Sequence, residues 1–444
     1  MNPFYSNTPD IKNQAHVDLF INREEELTFL KEWLLSEKID ESIGAVIGLP
    51  RIGKSHLCYK ALSDLEKEKN LEYILIKANR VEQLSNLLRY LYRQITAKIK
   101  NIPPALYEKN ETLKAFYDCL GEDMSHYDEI LSAAVDSITR EVSTEKGEIL
   151  KSRVQSNTEG AIETGIKLFI KASLTLKTLI GFEKEKSKEN TETKTRTEVY
   201  RKPDEQGLVE IINDFIHGYS LLRGEERLLL YIDDLDRISP DPKENERMIS
   251  ELLYYLKDLS SHNKNLLVFA SIGESFYNLN KEKFFRRISL LRPLENKDLL
   301  ELYRRRCEIF AVEFLSITTT GKLAELFKGF PGRFLDALDK LYVERGRIRL
   351  TELKDIFTYC RGEIEELENG TRAAIPGLKQ LLASKVKEGT YRVTLGEFKD
   401  LDLFRTPLVG EILWEIPYEP GIYRINPMYG EALKKTAASR RKKP

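Results

Sequence analysis

Gly48-Leu49-Pro50-Arg51-Ile52-Gly53-Lys54-Ser55 fits the pattern G-x-x-x-x-G-K-[ST] at every fixed position. The apolar run Ile43–Ile47 precedes it, and a helical pattern through Leu57 and Leu62 follows. Strand, loop and helix in that order form the context in which such a loop cradles phosphate. Its glycines let the backbone wrap tightly, so that successive N–H groups point inward at phosphate oxygens. The helix that begins near Gly53 adds the positive end of its dipole. The cofactor-binding stretch is therefore expected to run from Gly48 through Leu49, Pro50, Arg51, Ile52, Gly53, Lys54 and Ser55 to His56. Lys54 is expected to reach the β- and γ-phosphates, and Ser55 to ligate Mg²⁺. The side chain of Arg51 is read as exposed and structural. ATP and Mg²⁺ are the cofactors implied.

A loop of this kind needs a carboxylate across from it. Leu228-Leu229-Leu230-Tyr231-Ile232-Asp233-Asp234 reads as a buried strand that delivers one to its carboxyl end, where ligands sit in open α/β sheets. Asp233 is expected to hold Mg²⁺, mostly through water, and Asp234 to polarise the attacking water. The competing reading makes Asp234 or Asp236 the cap of the next turn, and for Asp236 that reading is preferred.

Further out, Tyr73–Ile76, Leu266–Phe269 and Ile288–Leu291 read as additional strands. Helical spacing connects them, including long patterns from Val81 to about Leu150. Alternating strands and helices imply an α/β fold, with a parallel P-loop sheet of the ASCE type and helices on both faces. Helical patterns from Asn296 to about Tyr359 suggest a lid. Leu378–Val386 reads as a helix, Ile412–Ile416 and Ile422–Ile425 as two short strands, and Met428–Lys435 as a closing helix, an order compatible with an α+β winged-helix unit. The expected units are an irregular arm at 1–18, a core at 19–292 with an insertion at about 103–205, a lid at 293–368, a winged-helix unit at 369–437 and a basic tail at 438–444. Within the insertion, Ile166, Leu168, Ile170, Ala172, Leu174 and Leu176 alternate with Lys167, Phe169, Lys171, Ser173, Thr175 and Lys177. That is strand periodicity, although a helix with Lys167 and Lys171 on one face also fits. The charged stretch Glu183–Glu198 reads as a loop or a mobile strand.

The whole chain narrows the class. Of its 444 residues, 41% are hydrophobic and 32% charged, with a formal net charge of −1. It reads as globular, without a global pull toward nucleic acid or anionic membrane. Cys58, Cys119, Cys307 and Cys360 lie far apart with no CxxC pair, which favours reduced thiols over a zinc site. No basic-then-apolar leader opens the sequence, and no run of about eighteen apolar residues suggests a membrane span. The cytoplasm is the expected location.

With both motifs placed, the chain resembles the AAA+ and STAND branch of P-loop ATPases, and more narrowly the ATPases similar to origin-recognition proteins and transposition regulators. The resemblance covers roughly residues 19–345. Phe20-Ile21-Asn22-Arg23-Glu24-Glu25-Glu26-Leu27 resembles the motif G-R-E-x-E-L that such proteins place beside the adenine, with Asn22 in place of glycine. The resemblance implies a polar sensor of the γ-phosphate at Ser271; a hydroxyl that bonds the local backbone is the alternative. It implies an arginine finger at Arg286 or Arg287, which precede the last strand and would complete a neighbour's site; a basic helix end is the alternative. Gly329-Phe330-Pro331-Gly332-Arg333 resembles the second sensor G-x-P-R, with the arginine shifted by one residue. Asp234 stands where glutamate is usual, and Ile232-Asp233-Asp234-Leu235-Asp236-Arg237 resembles the version found in KAP-type NTPases.

Two functions follow as expectations. One is a slowly hydrolysing ATPase that assembles into a homo-oligomer on ATP and acts on DNA, through the C-terminal unit and basic tail, or on a DNA-associated partner. The other is a STAND- or KAP-type signalling or antiviral-defence switch that senses a protein partner. A scaffold that binds ATP without turnover fits least well, because Lys54 and the acidic pair are intact.

Overall fold

The computed structural model describes residues 3–4, 11, 13–36, 43–69, 71–78, 83–108, 110–132, 137–143, 195–201, 203–223, 226–236, 238–239, 242–274, 276–277, 284–345, 352–369, 375–397, 408–416 and 421–440. The alternating stretch at 165–177 and the tail beyond 440 lie outside these residues.

Strand β1 (Ile43–Ile47) carries IGAVI, five residues buried without exception. Around it lie β2 (Glu72–Lys77), β5 (Leu228–Asp233), β6 (Leu266–Ile272) and β7 (Phe285–Leu290), in the order β2-β5-β6-β1-β7. Every pairing among them is parallel. Two further strands, β3 (Ser137–Ser143) and β4 (Thr195–Arg201), form a separate antiparallel ladder.

Successive residues of a strand face opposite sides of its sheet. Both sides of the central strands β1, β5 and β6 are covered, which is why these three read as nearly continuous apolar runs. Ile43, Ala45, Ile47, Leu230, Ile232, Val268 and Ala270 join one core. Val46, Leu229, Tyr231, Leu267 and Phe269 join the other. Helices α2 (Glu24–Leu35) and α3 (Lys54–Lys69) cover the second face; α1 (Gln14–Val17) is a single turn ahead of them. Gly44 is part of this packing: a Cβ there would lie 1.5 Å from the ring of Trp33 on α2, so the indole occupies the space of the missing side chain.

The first face is covered by α4 (Leu84–Lys100), α5 (Glu111–Ser132), α6 (Glu205–Leu222) and α7 (Pro242–His262). On α4 the buried Leu84, Leu87, Leu88, Leu91, Ile95 and Ile99 recur at helical spacing. Helix α5 opens the expected insertion, yet it buries Phe116, Leu120 and Met124 in the same core, with Leu120 against Gly218 of α6. The helical pattern read as far as Leu150 ends at Ser132. Ser137–Ser143 is strand, paired with residues distant in sequence.

Helices α8 (Asn296–Ile309), α9 (Ile317–Leu326), α10 (Pro331–Glu344) and α11 (Leu353–Asn369) follow the sheet as a helical lid. Then come α12 (Leu378–Lys387), the strands β8 (Arg392–Thr394), β9 (Leu413–Glu415) and β10 (Ile422–Ile425), and α13 (Pro427–Arg440). The antiparallel order β8-β10-β9, with helices around it, is the winged arrangement. The sequence suggested two of its strands; Arg392–Thr394 is the third. Lid and wing share one apolar core, in which Phe327, Phe334 and Leu338 meet Trp414, Tyr423 and Met428. Phe4 of the arm is buried there too, stacked 5.6 Å from Tyr303. The arm expected to be irregular is thus anchored by an aromatic side chain.

Among the described residues, no helix is long and apolar enough to cross a membrane.

Candidate functional site

The site forms where β1, β6 and β5 end at the same edge of the sheet. Strand β6 lies between the strand that feeds the Gly48 loop and the strand that ends at Asp233. The loop turns through left-handed backbone at Arg51 (φ 66°) and Gly53 (φ 103°), and α3 begins at Lys54. The first helical hydrogen bond runs from the Leu57 N–H to the Gly53 carbonyl (3.1 Å), so the N–H groups of the first turn face the loop. The Lys54 ammonium is buried and donates to the carbonyls of Gly48 (2.9 Å) and Leu49 (3.3 Å). The lysine therefore curls back over the loop's concave side.

Asp233 is the hub. It is 1% exposed and accepts four hydrogen bonds. Ser55 Oγ (2.7 Å), Ser271 Oγ (2.7 Å) and Tyr231 OH (2.8 Å) donate to Oδ1, and Tyr59 OH (3.0 Å) donates to Oδ2. A charge taken out of water needs such partners. Ser271 Oγ also accepts the Asp234 N–H at 2.8 Å, so it joins the two aspartates. Asp234 has φ 52°, a left-handed turn that aspartate tolerates and that ends the strand abruptly. Asp236 accepts the Gly273 N–H at 3.0 Å and fastens the turn to the end of β6.

Tyr59 and Tyr231 were not singled out from the sequence, but both were legible. Tyr231 precedes Asp233 by two residues and shares its face of the strand. Tyr59 follows Ser55 by four residues on α3, the spacing that stacks side chains on one helix face. Burial, and then the charge of Asp233, push both phenols above their ordinary range, so they stay protonated donors.

The lid touches the loop directly. The Gly332 N–H donates to the Arg51 carbonyl at 3.0 Å, and Arg51 pairs with Asp336 on α10 at 3.5 Å. A Cβ at Gly332 would come within 2.9 Å of the Arg51 Cβ, so this approach requires glycine. The next residue, Arg333, stacks on Trp414 of the wing, 4.3 Å from the ring centroid. The expected second sensor is therefore packed against the wing in this arrangement.

Arg23 is buried, and its guanidinium donates to the carbonyls of Ile52 (3.0 Å) and Arg292 (2.8 Å), clamping the loop to the exit of β7. Asn22 has φ 46° and donates to Asp298 at 2.6 Å, at the start of lid helix α8. A side chain that bonds there accounts for asparagine where glycine is usual. The His56 ring faces away from the loop, against Phe20, with Nε2 3.1 Å from the His16 carbonyl. Burial, and then the charge of Arg306, push its pKa down to about 4. His56 is thus neutral and offers the loop only its backbone. Arg286 and Arg287 do not precede the last strand but lie within it, at the end opposite Gly48. Strand β7 is an edge strand, where polar side chains are tolerated, so it starts earlier than its apolar residues suggest. Arg287 donates to Ser36 of its own chain at 2.6 Å.

The donor set fits Mg²⁺. Among the described residues there is no cluster of three or more His, Cys, Asp or Glu that could hold a metal. Mg²⁺ does not need one, because it keeps several waters and uses one or two protein oxygens plus phosphate. Ser55 and Asp233 supply hard oxygens side by side, next to Lys54 and the N-terminus of α3.

No family model matches this chain, and no curated protein matches it. Among solved structures it is similar to the ORC2 protein of Aeropyrum pernix in ADPNP–ADP complexes, at 12% identity over 100% of this chain and 98% of that one, with a TM-score of 0.40. It is similar to the ORC1 protein of the same organism in complex with DNA, at 14% identity over 97% of each chain, with a TM-score of 0.40. It is also similar to Cdc6p from Pyrobaculum aerophilum, at 12% identity over 94% of each chain, with a TM-score of 0.38.

Proposed function

We propose that this chain is an AAA+-like ATPase that binds ATP with Mg²⁺ at Gly48–His56, hydrolyses it slowly, and uses the bound nucleotide to change its assembly on DNA or a DNA-associated partner. The observation that carries the reading is the 2.7 Å contact between Ser55 and Asp233, with Ser271 on the same carboxylate oxygen from the strand between them. Three elements distant in sequence converge there on one carboxylate oxygen beside a phosphate-type loop.

In this reading Lys54 binds the β- and γ-phosphates, Ser55 ligates Mg²⁺, and Asp233 holds the ion through water. Asp234 orients the attacking water and Ser271 couples it to the metal side. The shorter reach of aspartate relative to glutamate suits a switch more than a motor. Residues 19–292 bind nucleotide, 293–368 form the lid and 369–437 the winged unit, in a cytoplasmic protein. A phosphate that draws on the loop acts on Arg51 and Gly332, and through α10 on the Arg333–Trp414 stack. The lid thereby links nucleotide to wing.

For DNA, the register of the wing offers support. Arg424 on β10 stands directly opposite Arg392 on β8, and both are exposed. Side chains directly opposite each other in an antiparallel pair share a face, so the two guanidinium groups offer one surface to a phosphate backbone. Arg286 is retained as the arginine finger toward a neighbouring subunit, with Arg287 bonded within its own chain.

Turnover of ATP, and the solution mass with a non-hydrolysable analogue, test the whole. The reading expects slow Mg²⁺-dependent hydrolysis and a larger particle on the analogue. No hydrolysis and an unchanged mass at saturating nucleotide would contradict it. DNA affinity that falls steeply with salt supports the DNA partner; no association at low salt removes it. The second reading, a STAND- or KAP-type switch for a protein partner, draws on Asp234 and on the β3–β4 ladder, which pairs outside the main sheet. ATP-dependent assembly without DNA affinity favours it.

A further inference from the structure

Asp233 holds more donors than a Mg²⁺-site aspartate requires. Ser55 can give its proton to Asp233 while its lone pairs face a metal, and Ser271 ties the carboxylate to Asp234. The two tyrosines have no such task, yet they take up half of the four donor contacts.

We propose that Tyr59 and Tyr231 are positioning residues that share the charge of Asp233 with the magnesium ion and so set how tightly the cation is held. This rests on the reading of Gly48–Ser55 as an ATP·Mg²⁺ site.

A carboxylate has about four acceptor directions. With three donors on Oδ1 and Tyr59 on Oδ2, the room for a metal-bound water lies on Oδ2. The phenols fix that choice, because their rings cannot turn away. Both tyrosines are fully buried and meet edge to face, with centroids 6.1 Å apart at 88°. Tyr231 is stacked on Phe269 at 4.7 Å. The Lys77 ammonium sits 5.6 Å above the Tyr59 ring, at the end of the strand whose Lys77 pairs with Asp233. A hydrogen bond to a charged oxygen draws on the charge that a metal-bound water would otherwise use. Each hydroxyl therefore weakens the pull of Asp233 on the cation while keeping its rotamer fixed.

Tyr59→Phe and Tyr231→Phe keep the rings and delete the donors. Binding of a fluorescent ATP analogue to the full chain is titrated with Mg²⁺, with binding in excess chelator as the internal reference and Lys54→Ala as the negative control. Half-saturating Mg²⁺ is expected to fall on the order of three- to tenfold in each variant, part of the worth of one charge-assisted hydrogen bond. The melting midpoint is expected to drop without ligand and to recover by more than wild type on Mg²⁺·nucleotide. A structural role alone lowers the midpoint under every condition and leaves the metal curve in place; that result overturns the proposal, as does a raised half-saturation. If one variant does not fold, the other decides. Wild-type protein that binds no nucleotide, with or without metal, overturns the ATP reading and this proposal with it. Metal-dependent binding with unaltered curves in both variants overturns the proposal alone.

Discussion

Ser271 joins the two aspartates through one hydroxyl: it donates to Asp233 and accepts from the Asp234 backbone. Ser271→Ala leaves a buried carboxylate one donor short and an N–H without that acceptor, so denaturant unfolding is expected to show a loss of about 1–3 kcal/mol. Asp234→Asn is expected to keep nucleotide binding and lower turnover about a hundredfold or more, the usual worth of a general base. Unchanged turnover would remove Asp234 from the chemistry. At this scale the sequence was informative where chemistry fixes spacing. Lys54, Ser55 and Asp233 could be read from motif alone, and Tyr59 and Tyr231 from helix and strand periodicity. The stack of Arg333 on Trp414 could not, because it joins two units that only the tertiary fold brings together.

The central strands β1, β5 and β6 were legible because both faces are buried and their sequences are unbroken apolar runs. Strands β3 and β8, outside the main sheet, were not. Strand β8 is three residues long and is defined by its pairing to Tyr423, and β3 depends on a partner far along the chain. Packing also sets the cost of change within elements. Gly44→Ala places a methyl group 1.5 Å from the Trp33 ring and is expected to destabilise by about 3 kcal/mol or more in thermal or denaturant unfolding. On α6, burial, and then the charges of Asp123 and Glu210, raise the Asp214 pKa to about 7. The folded state thus binds a proton that the unfolded chain has released. The resulting penalty is full above pH 7 and fades as pH falls toward the ordinary aspartate value. Asp214→Asn is accordingly expected to stabilise by about 2 kcal/mol at pH 8, with the gain shrinking toward pH 4. A gain independent of pH would contradict this account.

For the molecule as a whole, the contact between α10 and the Gly48–Ser55 loop has the longest reach. Its first turn binds Arg51, its second residue is the glycine that permits this, and its third holds Trp414. Lid and wing share one core, so any movement of α10 is passed to the wing. For the same reason a chain ending before Ile375 is expected to lose the lid as well, read as aggregation or a lost thermal transition. Core, lid and wing could be ordered from the sequence; their fusion into one apolar core could not, since no local pattern records which helices pair. All of this depends on the loop at Gly48–Ser55 being an ATP site. Equilibrium binding of ATP with Mg²⁺ to the full chain and to its Lys54→Ala variant is the most direct measurement. The account predicts saturable, Mg²⁺-strengthened binding in the wild type and its loss in the variant; equal binding by both, or none by either, would contradict it.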